Sequence, residues 1–139
     1  MKDKVFLDTA FAIALSLETD AFHEEALVLA EEIEAQRTHL ITTRAILLEI
    51  GNASSRSNHR KIAIDILNSL ELDKNVTIVP LTEELYKAAY KLYSSRVDQE
   101  WGMTDCVSFT VMKQFNLTDS LTTDHHFRQV GFNPLMRES

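Results

Sequence analysis

Val5-Phe6-Leu7-Asp8-Thr9 joins a short apolar run to an acidic residue, and the predicted fold rests first on this pattern. Three apolar residues in a row are typical of a buried strand, so the carboxylate of Asp8 falls where the strand ends. A helical pattern over 10–18 follows directly. The chain therefore begins with a strand, an acid and a helix.

Strand and helix patterns alternate through the rest of the sequence. Strands are predicted over 39–42, 76–79 and 120–123, with a last one near Phe132. Helices are predicted over 21–36, 44–54, 82–95 and 104–115, and Thr82 is the predicted cap of the third of these. A loop is predicted at 54–58. The helix predicted after it carries an apolar stripe of Ile62, Ile66, Leu67 and Leu70. This alternation predicts an α/β fold with a parallel sheet, whose ligands gather beyond the carboxyl ends of the strands.

Length and composition predict one domain spanning residues 1–139. The chain is 45% hydrophobic and 25% charged, as in ordinary globular proteins, and its three glycines and two prolines form no linker. The apolar runs are too short to cross a bilayer and no basic-then-apolar leader precedes them, so we expect no membrane contact and a cytoplasmic protein. The single cysteine, Cys106, excludes an intrachain disulfide and fits a reducing compartment.

The charge balance limits how the chain can bind nucleic acid. A net charge of −7 opposes any function in which bulk positive charge holds a phosphate backbone. A nuclease of this composition has to act through a local site. An excess of carboxylates is also consistent with a bound cation or with a basic partner.

Four of the 21 acidic residues stand next to apolar segments: Asp8, Glu49, Asp105 and Asp124. Asp8 and Asp124 end predicted strands, Asp105 begins a helix and Glu49 lies within one, so the four can converge at one edge of the sheet. Ionised carboxylates brought together there need a cation, and oxygen ligands suit Mg²⁺ or Mn²⁺. The spacing leaves an alternative open, in which the three aspartates are helix caps or first-turn acids.

Motifs in the same order resemble those of the PIN-domain family, particularly the VapC-type toxins. They are Phe6-Leu7-Asp8-Thr9, Leu48-Glu49-Ile50, the run from Met103 to Phe109 (MTDCVSF) and the run from Leu121 to Phe127 (LTTDHHF). The stretch from Arg96 to Gly102 (RVDQEWG) and the ending from Phe127 to Phe132 (FRQVGF) are also similar to that subgroup. The resemblance spans the whole chain.

The resemblance implies a three-layer α/β/α sandwich and a metal-dependent endoribonuclease that cleaves single-stranded or structured RNA. It assigns Asp8, Glu49, Asp105 and Asp124 to the acidic site that holds Mg²⁺ or Mn²⁺, with Asp8 and Asp105 binding the ion most directly. It also implies a homodimer that a cognate antitoxin neutralises by placing a basic side chain among the carboxylates.

Neighbouring residues receive supporting or structural roles. Hydroxyls of Thr9, Thr104 and Thr123 can orient the carboxylates or water, and Asp98 can extend the acidic pocket, although capping explains Thr104 equally well and Asp98 is as readily an exposed acid. We assign His125 and His126 to solvent exposure or loop packing, because a site for a hard ion has little use for imidazole. Trp101 and Phe127 are expected to pack around the site.

Two other functions stay open at this point. The first is a catalytically silent PIN-like module that binds RNA or a protein partner without turnover. The second is a phosphatase or phosphoacceptor domain, which the residues disfavour because a dehalogenase-type phosphatase needs a second aspartate where Ala10 stands.

Overall fold

A computed structural model of the protein describes residues 1–136, apart from the side chain of Ser57, so the last three residues of the predicted domain lie outside the described part. Strands and helices alternate as the sequence predicts. In chain order they are β1 (Lys4–Leu7), α1 (Thr9–Ser16), α2 (His23–Gln36), β2 (His39–Thr43), α3 (Arg44–Ala53), α4 (Ser57–Leu72), β3 (Val76–Val79), α5 (Glu83–Ser95), α6 (Met103–Gln114), β4 (Asp119–Leu121), α7 (His126–Val130) and β5 (Asn133–Pro134).

The five strands form one parallel sheet in the order β3-β2-β1-β4-β5. Phe6 of β1 pairs with Ile41 of β2 on one side and with Ser120 of β4 on the other. The chain leaves β1 toward β2 and β3 and later returns to the opposite side of β1, so a topological switch point lies between β1 and β4. The predicted α/β/α sandwich with a central parallel sheet is confirmed.

Burial explains why β1 has a continuous apolar run rather than an alternating one. Val5, Phe6 and Leu7 are all buried, which is typical of a parallel strand that helices cover on both faces. The edge strand β3 is only partly buried and alternates more. Within residues 1–136, no helix is both long and apolar enough to cross a membrane.

Most element boundaries agree with the sequence to within one or two residues, and the differences have local causes. The Thr82 cap is confirmed, since its hydroxyl accepts a hydrogen bond from the backbone N–H of Leu85 at 3.1 Å. The predicted loop at 54–58 is shorter, because α4 already begins at Ser57. Helix α7 was not predicted, because five residues are too few for a recognisable period; Gly131 ends it with a φ of 103°.

The strand predicted over 120–123 covers only Asp119–Leu121. Beyond Leu121 the chain turns, and the hydroxyl of Thr122 accepts a hydrogen bond from the backbone N–H of Asp124 at 3.0 Å. This turn ends the strand early and directs Thr122, rather than Thr123, toward the switch point.

Candidate metal centre and active site

Asp8 lies at the switch point, directly after β1. Its backbone N–H contacts the carbonyl of Leu121 at 3.3 Å, which joins it to the end of β4. The hydroxyl of Thr122 donates a hydrogen bond of 2.6 Å to Asp8 Oδ2. Two adjacent parallel strands therefore fix the position of this carboxylate.

Burial makes Asp8 an unusually weak acid. The residue is only 8% exposed, and burial is the main reason why its pKa rises from 3.8 to about 7. The hydrogen bond from Thr122 acts in the opposite direction, while the negative charges of Glu49 and Asp105 raise the pKa further. Asp8, Glu49 and Asp105 are therefore close enough for their charges to interact.

Glu49 reaches the same place from α3. The buried hydroxyl of Thr9, in the first turn of α1, donates a hydrogen bond to Glu49 Oε1. Because Thr9 follows Asp8 in the chain, this bond holds Glu49 beside the end of β1.

Asp105 comes from the first turn of α6, and its Oδ2 accepts a hydrogen bond from the backbone N–H of Gly102 at 3.1 Å. Burial raises its pKa, and the charges of Asp124 and Glu49 add to that rise, whereas His126 opposes it. The structure thus brings together all four acids that the sequence singled out.

Asp124 lies in the turn after β4, together with His126, which the sequence had assigned to packing. Asp124 Oδ1 accepts a hydrogen bond from the backbone N–H of His126 at 2.9 Å. The ring of His126 points toward the acids, with Nδ1 at 3.1 Å from Asp124 Oδ1 and 3.6 Å from Asp105 Oδ2. The sequence offers no signal for the second contact, because it depends on how α6 packs against the chain after β4.

The donor set fits a hard divalent cation. Within residues 1–136, the ion pairs of lysine and arginine involve other acids, namely Glu71, Asp65, Glu83 and Asp98. The four clustered carboxylates are thus left without a lysine or arginine counterion in the described part of the chain. Carboxylate oxygens in this number suit Mg²⁺ or Mn²⁺, and a bound cation would favour their ionised forms.

The residues predicted to support the site have different placements. Thr9 lies where the sequence expected it, whereas Thr123 is exposed and Thr122 makes the contact with Asp8 instead. Thr104 is inside α6 rather than at its cap, which is Gly102, and it lines a groove of about 310 Å³ that Glu49 also lines.

Asp98 is not brought into the cluster. It is exposed, and both of its carboxylate oxygens accept hydrogen bonds from the guanidinium of Arg96, at 3.0 and 3.1 Å. This pair holds the pKa of Asp98 below its usual value. The prediction that Asp98 extends the acidic pocket therefore gains no support from its contacts.

Trp101 and Phe127 pack as expected. Trp101 is 5% exposed, its Nε1 donates a hydrogen bond of 2.9 Å to Gln129 Oε1, and Phe127 is fully buried. Both rings make edge-on contacts with Phe109.

Comparison with known families identifies the group to which this fold and site belong. The sequence matches the family described as the PIN domain over residues 5–133. The chain belongs to the PIN-domain family. No protein of curated function matches its sequence.

Solved structures resemble this PIN domain over nearly its full length. VapC20 of Mycobacterium tuberculosis, described as a toxin that cleaves the sarcin-ricin loop, is 23% identical, with a TM-score of 0.80 over 92% of this chain and 95% of that one. VapBC2 from Rickettsia felis, bound to a DNA fragment from their promoter, is 13% identical, with a TM-score of 0.68 over 97% of both chains. FitAcB from Neisseria gonorrhoeae is 16% identical, with a TM-score of 0.67 over 94% of this chain and 95% of that one. At these identities the likeness shows the fold.

Thr122 and Thr123 offer a matched test of the contacts in this PIN domain. Thr122→Val removes the donor to Asp8 and the acceptor for the N–H of Asp124, so we expect a loss of about 1–3 kcal/mol in the free energy of unfolding. Thr123→Val changes an exposed side chain and should stay within about 0.5 kcal/mol of the original protein. Urea unfolding at pH 7 measures both, and equal effects would contradict the placement of Thr122.

Proposed function

We propose that the chain is a single PIN domain, spanning residues 1–139, that acts as a divalent-metal-dependent endoribonuclease and as the toxin of a toxin–antitoxin pair. Its proposed catalytic and metal-binding residues are Asp8, Glu49, Asp105 and Asp124, and its substrate is single-stranded or structured RNA. The observation that carries the proposal is the convergence of these four carboxylates, in the described residues, without a lysine or arginine counterion.

The surrounding residues hold the carboxylates in fixed orientations. Thr122 fixes Asp8 and Thr9 fixes Glu49, while the N–H of Gly102 fixes Asp105. A divalent ion bound by such a set supplies Lewis-acid chemistry and activates water for attack on a phosphodiester. Because the positions of the acids depend on neighbouring hydroxyls and backbone groups, the site is preorganised before any RNA arrives.

The test is cleavage of RNA by the purified protein. We expect a single-stranded RNA and a hairpin RNA to be cut in the presence of Mn²⁺ or Mg²⁺, with cleavage abolished by chelator and restored by added metal. Asp105→Asn should reduce the rate at least about a hundredfold, whereas Asp3→Asn, which changes an exposed acid near the opposite end of β1, should leave it unchanged. Cleavage that persists in chelator, or that survives in Asp105→Asn, would contradict the proposal.

The main alternative is a catalytically silent PIN-like module that binds RNA or a protein partner. The same experiment separates the two functions, because a silent module would bind metal and RNA without producing cleavage fragments. DNA of the same sequence as the RNA is the control for substrate class, and cutting of DNA alone would overturn the assignment as a ribonuclease.

The family and the acidic character of the chain support the proposed partners. We propose a cognate antitoxin that inserts a basic side chain among the four carboxylates, where the net charge of −7 favours a cationic segment. Among the structural relatives, VapBC2 from Rickettsia felis is bound to a DNA fragment from their promoter, and VapC20 is described as a toxin. A homodimer in the cytoplasm, without a membrane partner, completes the proposal.

A further inference from the structure

We propose that His126 is a nitrogen ligand of the divalent ion in this site and that it makes the site prefer Mn²⁺ to Mg²⁺. The inference rests on the proposed function, because it concerns the ion held by the same carboxylates. It assigns a role to a side chain that the sequence had placed in loop packing.

The first observation is a shielded nitrogen without a hydrogen-bond partner. The side chain of His126 is 20% exposed, but its Nδ1 is closed off from solvent and makes no hydrogen bond within residues 1–136. Its polar neighbours are Asp124 Oδ1 at 3.1 Å, which is not aligned for a hydrogen bond, and Asp105 Oδ2 at 3.6 Å, which is too distant for one. Buried polar atoms normally have a partner, and a cation among these three atoms would be one.

The spacing of the three atoms is the second observation. In an octahedral ion with bonds of about 2.1 Å, two adjacent ligand atoms stand about 3 Å apart. The separation between His126 Nδ1 and Asp124 Oδ1 has this size, and that to Asp105 Oδ2 exceeds it by roughly half an ångström. Because Asp105 belongs to α6 and His126 to α7, the ligands would come from two separate segments, as in a built site.

Because the donor atom of His126 is a nitrogen, it favours Mn²⁺ over Mg²⁺. Mg²⁺ binds oxygen ligands almost exclusively. Mn²⁺ also prefers carboxylates, but as a first-row transition ion it accepts an imidazole nitrogen more readily than Mg²⁺ does. The four carboxylates can serve either ion. A nitrogen ligand therefore adds affinity for Mn²⁺ and adds little for Mg²⁺.

His125 is a natural control because it is the neighbour of His126 and contacts the same acid. Its ring centre is 4.4 Å from that of His126, and its Nδ1 lies 3.9 Å from Asp124 Oδ1. Its side chain is 77% exposed, so its nitrogens are accessible to solvent and need no metal ion as a partner. We assign no metal contact to it.

Electron spin-echo spectroscopy of the Mn²⁺-loaded protein tests the assignment directly. We expect a coupling from a directly bound ¹⁴N nucleus, and the coupling should change to that of ¹⁵N when the protein is labelled with ¹⁵N-histidine. His126→Asn puts an amide near the position of Nδ1 and should abolish the coupling, whereas His125→Asn should retain it. The labelled original protein gives an answer even if a variant fails to fold.

Titration calorimetry with Mn²⁺ and with Mg²⁺ measures the preference. We expect His126→Asn and His126→Phe to lose about tenfold in Mn²⁺ affinity while Mg²⁺ affinity stays within about threefold. His125→Asn should match the original protein with both ions.

The outcomes separate this inference from the function on which it rests. Mn²⁺ binding without a histidine nitrogen coupling, or equal losses for both ions in His126→Asn, would overturn the inference and leave the proposed nuclease intact. The inference would also be overturned if His125→Asn, rather than His126→Asn, lost the nitrogen coupling and the Mn²⁺ affinity. Failure of the original protein to bind either ion would overturn the inference and the proposed metal dependence together.

Discussion

Asp8→Asn is expected to abolish RNA cleavage and, at the same time, to make the metal-free protein more stable at pH 8. The loss of cleavage, at least about a hundredfold, follows from removing an anionic ligand from the proposed metal centre. The gain in stability follows from burial, because asparagine has nearly the same shape as aspartate and cannot ionise. Few substitutions in an ordinary core would produce this combination.

The pH dependence of the stability gain follows from the raised pKa of Asp8. Its pKa is 3.8 in the unfolded chain and about 7 in the fold, so the native state binds more protons between these values. The native state of the original protein therefore loses stability as the pH rises from about 4 to about 7, by at most about 4 kcal/mol. Asp8→Asn avoids this loss, so the difference between the two proteins should be small at pH 4.5 and largest at pH 8.

Urea unfolding in chelator at both pH values measures the difference, and Asp3→Asn serves as the control because its carboxylate is exposed. Added Mn²⁺ should stabilise the original protein but not Asp8→Asn, since only an ion bound to the native state shifts the equilibrium. A variant that is less stable than the original protein at pH 8 in chelator would show that Asp8 is not held as a strained, buried carboxylate.

Local patterns singled out the acids of the proposed site, but only the resemblance to the PIN-domain family assigned them to one metal centre. Asp8 follows a continuous apolar strand, and Asp105 lies in the first turn of a helix. In a parallel sheet, ligand-binding residues gather beyond the carboxyl ends of the strands, next to the starts of the following helices. Short apolar runs then suffice to find β1 and β2, and a period of 3.6 residues suffices to find α3. Since these patterns are local, no knowledge of packing was needed for them.

Two features depended on contacts between distant parts of the chain, and the sequence did not reveal them. The choice between Thr122 and Thr123 as the partner of Asp8 depends on where β4 ends, and a shift of one residue reverses the facing side chain. The position of His126 near Asp105 depends on how α6 packs beside the turn after β4. In contrast, the pairing of Asp98 with Arg96 spans only two residues and was open to prediction from charge alone.

Phe109→Ala is expected to have the largest effect on folding, because this ring joins the segments that carry the site. Phe109 is fully buried, and its ring centre lies 5.3 Å from that of Trp101, 5.0 Å from Phe127 and 6.0 Å from Phe132. Removal of a buried phenyl ring costs about 3–5 kcal/mol in the free energy of unfolding. That is a large part of the total stability of a small domain.

The position of Phe109 also connects packing with chemistry. Phe109 lies one helical turn after Asp105. Its ring partner Trp101 directly precedes Gly102, whose backbone N–H binds Asp105. Its other ring partner, Phe127, directly follows His126. The milder Phe109→Leu should therefore remain folded, with a loss of about 1–2 kcal/mol, and still weaken Mn²⁺ binding, because it loosens both sides of the acidic cluster. Phe115→Ala, at the exposed end of α6 where the ring is 39% exposed, should change unfolding by less than about 1 kcal/mol and leave Mn²⁺ affinity unchanged. Urea unfolding and Mn²⁺ titration of the three variants measure these effects. If Phe109→Leu lost stability but kept its Mn²⁺ affinity, the aromatic cluster would support only the fold and not the metal site.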